Sequence, residues 1–219
     1  KQTGITFLLF DMDSPGITVR PIELISGESP FCEVFFDKVR VPVSQVVGEV
    51  DKGWSVAKAL LAHERSLVGE SVAAGGARLP ALHGYTVRDH AVKVVGLGPD
   101  GRLRDPLLRD EVIRSEMEQE EIRSMIRQIN EVIKVGGQPG AESSVLKVVG
   151  TELNQRRWEL ASRIAGLDGC GWEGDAYSER DRAITRQWLR SRGNTIEGGI
   201  SEIQRNIMAR RVLGLPKGG

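Results

Sequence analysis

The sequence predicts an α+β chain, with an antiparallel β unit first and a bundle of long helices after it. Two observations carry this. Residues 3–10, 17–24 and 31–41 are short runs rich in β-branched and aromatic residues, set apart by the turn signals Ser14-Pro15-Gly16 and Ser26 to Pro30. From Trp54 onward the texture changes, and apolar residues recur at helical spacing over long stretches joined by glycine-rich loops.

The three runs read as three strands of one antiparallel unit ending at Val41-Pro42. Such a unit leaves an open edge. Because the chain also starts at Lys1 without Met, directly in a strand-like run, a preceding partner segment is expected. The first helix is predicted over GWSVAKALLAHERSLVGESVAAGGARL, with a buried stripe through Ala57, Leu60, Leu61, Leu67, Val68 and Val72. Further helices are predicted near Leu107 to Val135, Ser143 to Ile164 and Ser201 to Val212. Between the first two, GLGPDG marks an exposed loop; it lacks the strand before and helix after that a dinucleotide fingerprint requires. GLDGCGWEGDAYSERDR, residues 166–182, is a glycine- and acid-rich connection. Ser201 followed by Gln204 reads as a capping box, with Ile203 and Ile207 facing inward.

Composition narrows the partners. The 219 residues are 40% hydrophobic, and 30 basic residues balance 30 acidic ones, so neither a nucleic acid nor an anionic membrane is expected to bind. No apolar run reaches the ~18 residues of a membrane span and no cleavable signal pattern opens the chain, which makes the cytoplasm the expected compartment. Cys32 and Cys170 stand alone and read as packing residues. His63, His83 and His90 have no metal-ligand spacing, so no metal is expected. Ser66 lacks the elbow of a serine hydrolase.

Two places hold residues suited to chemistry. On the first helix, Glu64 falls within the apolar stripe, where a carboxylate is either paired, exposed by a twist of the stripe, or desolvated enough to serve as a general base. Arg65 lies about 100° around the helix from it and is free to face another group. In NTIEGGISEIQRNIMARR, residues 194–211, Glu197 precedes Gly198 and Gly199, whose bare backbone meets a helix start. That geometry suits an anion or a flat ring, and it also suits a plain turn.

SPGITVRPIEL, VFFDKVRVPVSQVVGEVDKGW and IEGGISEIQRNIMARRVLGLP together resemble the second half of the acyl-CoA dehydrogenase family, over essentially the whole chain. The resemblance implies that residues 1–48 are the closing half of a middle β-barrel domain and 49–219 a C-terminal four-helix bundle. It implies FAD as cofactor, an acyl-CoA substrate, electron-transfer flavoprotein as electron acceptor, a homotetramer or heterotetramer, and a place in fatty acid β-oxidation. The implied reaction is α,β-dehydrogenation, with a glutamate taking the α-proton and the β-hydride passing to the flavin. In many members the glutamate stands directly before the glycine ahead of the last helix. Here that seat falls on Gly198, with Glu197 one residue early. The branch resembling isovaleryl-CoA and long-chain dehydrogenases keeps its base in a Glu-Arg pair on the first bundle helix, and AHERSLVG matches it. The resemblance thus implies Glu64 as base with Glu197 as alternative, substrate contacts from Leu61, Arg65 and Gly198, and cofactor contacts from Gly166, Gly169, Gly199, Ile200 and Glu202.

The sequence also departs from the family. The Arg-x-x-Phe-Gly segment that helps hold the FAD pyrophosphate is replaced by RDHAVKVVGLGPDGR, where Arg88, Lys93 or Arg102 are the available cations. Ile200 stands in place of a threonine, and Arg163 in place of a glutamine. These departures motivate an alternative, a non-catalytic subunit of a heteromeric dehydrogenase; an acyl-CoA oxidase is a third reading.

Overall fold

The computed structural model describes residues 2–61, 80–137, 140 and 142–216. The chain divides into two compact units, Lys1–Ser66 and Leu67–Gly219.

In the first unit, β2 (Ile17–Ile22) and β3 (Phe31–Phe36) form an antiparallel hairpin with Ile17 opposite Phe36 and Ile22 opposite Phe31. The hairpin is entered through Gly16, at φ +93°, where a Cβ would stand 2.2 Å from the Asp37 carbonyl oxygen. Gly16→Ala is therefore expected to destabilise this unit by about 1–3 kcal/mol through backbone strain, read as a lower urea midpoint, whereas Gly4→Ala, with open space around the added methyl, should cost less.

The expected three-stranded unit is corrected. The first run contracts to β1 (Phe7–Leu8), which pairs with β4 (Val46–Val47) and not with the hairpin. A turn at Gly4 and another at 11–13 leave only two residues extended. The third run stops at Phe36, because Lys38 takes φ +51° and breaks the ladder. β2 and β3 keep Val19, Phe31, Phe35 and Phe36 between 46% and 59% exposed, so this hairpin buries neither face fully. Arg20 covers part of Phe35, its guanidinium 4.9 Å from the ring centre. Helix α1 begins at Gly53 and is described over residues 53–61. Gly53 donates its N–H to the Ile5 carbonyl at 2.7 Å, and a Cβ there would meet the Phe7 nitrogen at 2.5 Å. The stripe expected to be buried is open at Leu61, which is 43% exposed; periodicity defines an apolar face but not what covers it.

The second unit is helical. α2 (Val87–Val95) is capped by the Thr86 side chain, which accepts from the Asp89 N–H. α3 (Pro106–Lys134) is capped by Asp105, accepting from the Leu107 and Leu108 N–H groups, with Pro106 preset for the first turn. α4 (Glu142–Ala165) packs against α2, α3, α5 (Glu179–Ser191) and α6 (Ser201–Ile207), and is the central element. α6 continues into a wider π-helical turn over Met208–Val212. Trp158, Ala161, Ala91 and Ile184 are fully buried where α2, α4 and α5 meet. Tyr85 stacks on Trp158 with centroids 5.4 Å apart. α3, α4 and the final helix match expectation, whereas α2 and α5 were not foreseen as separate helices.

Three further expectations are corrected. The helix start at Ser201 has no capping box: its N-cap is Ile200, the Gln204 amide donates to the Gly198 carbonyl at 3.1 Å, and the capping box lies at Ser178 and Asp181, ahead of α5. Ile203 is 52% exposed, and Ser201 and Gln204 take the inward positions instead. Cys32 and Cys170 are exposed rather than packed.

Candidate active site

The sequence places its second candidate site at the connection from α5 to α6, and there the chain makes a series of tight turns. Asn194 N–H bonds to the Ser191 carbonyl, Glu197 N–H to Gly193 and Ser201 N–H to Thr195, at 3.0 to 3.1 Å. Gly198 and Gly199 follow at φ +62° and +93°, a conformation in which a side chain would be strained. Glu197, Gly198, Gly199, Ile200 and Glu202 thus share one turn, with both glycines half-buried and Ile200 38% exposed beside them.

Glu197 is held on both oxygens. Arg190 donates to Oε2 at 2.7 Å and to Oε1 at 3.3 Å, and the Asn194 amide also donates to Oε1. Asn194 in turn accepts from Asn154 of α4 at 2.7 Å, and Asn154 accepts from the Trp158 indole N–H at 3.0 Å. A polar chain therefore runs from the core tryptophan to the carboxylate. Gln155 pins the same turn, donating to the Ser191 carbonyl at 3.1 Å and to the Thr195 hydroxyl at 3.2 Å. Arg190→Ala is expected to lower stability by about 1–2 kcal/mol, since the pair is only partly buried, and Arg190→Ala with Glu197→Gln should recover part of it in a urea titration.

The other glycines of the predicted site lie at the far end of α4. Gly166, at φ +60°, ends that helix, and Gly169 lies so close that a Cβ would meet the Ser162 carbonyl oxygen at 2.5 Å. Thr185 of α5 donates to the Gly169 carbonyl at 3.0 Å. Gly166 lies twelve residues beyond Asn154, roughly 18 Å along a helix, so one chain does not bring the two clusters together. Arg163 is paired with Glu111 of α3. Arg88, Lys93 and Arg102 are exposed. Leu61 lies in the first unit, and Glu64 and Arg65 fall outside the described residues.

Sequence reasoning missed Arg190, Asn194 and Asn154, which fix the turn, and gave Gln204 a capping role in place of its bond to the Gly198 carbonyl. Only WLRSRGNTIEGG hinted at them, as a cation ahead of an acidic glycine turn. Gln204 Oε1 is buried without a hydrogen-bond partner. Among the described residues no three His, Cys, Asp or Glu side chains gather as metal ligands, and no helix is long and apolar enough to cross a membrane.

Known proteins share this helical domain. A family model described as "Acyl-CoA dehydrogenase, C-terminal domain" matches residues 51–213, and the chain belongs to the acyl-CoA dehydrogenase family. Acyl-CoA dehydrogenase IpdE1 of Mycolicibacterium smegmatis is 34% identical over 219 residues, covering 99% of this chain and 50% of the relative. Acyl-CoA dehydrogenase FadE34 of Mycobacterium tuberculosis is 35% identical over 224 residues, covering 99% of this chain and 27% of the relative. Among solved structures, one named "Tcur3481-Tcur3483 steroid ACAD" superposes with TM-score 0.81 at 26% identity, covering 99% of this chain and 53% of that one. The chain thus spans about half the length of IpdE1.

Proposed function

We propose that this chain is the C-terminal part of a FAD-dependent acyl-CoA dehydrogenase whose substrate carries a bulky, steroid-like acyl group. The family match over residues 51–213 carries the reading. The acyl class follows the name of the steroid ACAD neighbour at 26% identity. Residues 1–48 form the closing part of the barrel domain and 49–219 the four-helix bundle.

The residues present fit a flavin at the turn before α6. Gly198 and Gly199 offer backbone without Cβ at positive φ, Ile200 offers an apolar edge, and Glu202 lies in the first turn of α6. When bound, the flavin supplies a hydride acceptor. Glu64 takes the α-proton of the thioester, because Gly198 carries no side chain and both oxygens of Glu197 already accept hydrogen bonds from Arg190 and Asn194. Arg65 and Leu61 contact the substrate. Gly166 and Gly169, at the far end of α4, would contact the adenosine half of FAD bound with a neighbouring subunit. The protein is a cytoplasmic tetramer that passes its electrons to an electron-transfer flavoprotein.

The clamped Glu197 also supports a second reading, a non-catalytic subunit of a heteromeric dehydrogenase. Purification of the full-length protein separates the two. The first predicts near-stoichiometric flavin in the protein alone; the second predicts little flavin until a partner subunit is co-expressed.

A further inference from the structure

α4 meets the α6 turn through Asn154, which donates to Asn194, and meets α6 itself through the Glu152–Arg205 pair. Lys147, Thr151, Asn154 and Trp158 share one stripe of α4, spaced as i, i+4, i+7 and i+11 on a helix face. Asn154 and Trp158 belong to the polar chain that ends on Glu197. Thr151 returns its hydroxyl to the Lys147 carbonyl at 2.8 Å. Lys147 is the remaining member. It is only 4% exposed, and its Nζ is buried without a hydrogen-bond partner. An ammonium has three donors to satisfy, and leaving them empty in the interior is costly. Burial pushes its proton affinity below the ordinary lysine value, while the charges of Glu197, Glu202 and Glu152 pull the other way. Two of these carboxylates have cations of their own, Arg190 for Glu197 and Arg205 for Glu152. Lys147 therefore adds positive charge under the turn without the direct bonds that would make it an ordinary structural ion pair.

We propose that Lys147 is a positioning residue, a buried cation that holds the Glu197 to Glu202 turn in place by charge, so that Gly198 and Gly199 keep the conformation the site needs. Such a residue opposes global stability and serves local order. Replacing an unpaired buried ammonium by an apolar chain of similar length is neutral or stabilising for the fold, while the turn above it loses its attraction.

This deepens the proposed site, but its test needs neither substrate nor activity. Amide hydrogen exchange is followed at Glu197 and Ser201, whose N–H groups bond to the Gly193 and Thr195 carbonyls across the turn, in the full-length protein, together with the melting temperature. Lys147→Met is expected to melt at the same temperature or higher, with exchange in the turn faster by about tenfold or more, because local opening is set by the turn's own stability. Lys147→Arg, which keeps the charge, is expected to preserve protection there. Unchanged exchange in Lys147→Met overturns the proposal, as does faster exchange only in step with a lower melting temperature or a failure to fold. Equal loss of protection in Lys147→Arg and Lys147→Met also overturns it.

Discussion

Glu64→Gln in the full-length, flavin-loaded protein is expected to lower turnover by about 10²–10⁴-fold, the usual contribution of a positioned general base. Glutamine keeps the size and polarity of the side chain but cannot accept the α-proton, so flavin content and folding should be unchanged. In the helix predicted from the sequence, Glu64 interrupts a run of apolar positions one turn after Leu61. It gains support from the other candidate. Glu197 accepts from Arg190 and Asn194, so moving it toward a substrate would break contacts that fix the turn. Glu197→Gln should therefore weaken the fold modestly and retain most turnover. Steady-state kinetics with parallel flavin quantitation checks both, and full activity in flavin-replete Glu64→Gln would remove Glu64 from the reaction.

The largest stability effect is expected at Trp158. Its side chain is fully buried among α2, α4 and α5, stacks on Tyr85, and donates to Asn154 at the head of the polar chain. Trp158→Ala removes that volume and is expected to cost about 3–5 kcal/mol, or roughly 6–20 °C of melting temperature for a protein of 150–250 residues. Trp158→Phe restores much of the packing but not the indole N–H, so it should recover most of the melting temperature. The difference between the two variants reports the packing of the ring, and the loss that remains in Trp158→Phe relative to the parent contains the hydrogen bond to Asn154. A melting temperature within 2–3 °C of the parent in Trp158→Ala, about the effect of 1 kcal/mol, would contradict this account of the core.

The sequence made the long helices legible and left the short ones hidden, for physical reasons. α3 announces itself with Asp105-Pro106 and ends where Gly136 and Gly137 break the pattern. α5 does not: ERDRAITRQWLRS buries Thr185, Gln187 and Ser191 along with Ala183 and Ile184, so most of its inward positions are polar. β4 is two residues long and is defined only by pairing with β1 across nearly forty residues. The candidate turn was legible as a motif, because Gly-Gly before SEIQ is a local signal. Its supports were not. Asn154 reaches Asn194 from forty residues away, and a buried lysine at position 147 runs against the usual exposure of that residue type. Ser201 was misjudged because the same residue pattern serves a capping box and a first helical turn, and the Gln204 amide donates to the Gly198 carbonyl instead of its side chain accepting from an N-cap N–H.

The proposed function makes this chain part of a flavoprotein that dehydrogenates a bulky acyl-CoA. Its most direct measurement is anaerobic mixing of the purified full-length protein with a steroid-acyl-CoA, with the flavin absorbance followed in time. The account predicts bleaching of the oxidised flavin in the first turnover, with the α,β-unsaturated thioester as product, and a rate that falls about 10²–10⁴-fold in Glu64→Gln. A flavin-loaded protein that stays oxidised with both steroid-acyl-CoA and straight-chain acyl-CoA would contradict it.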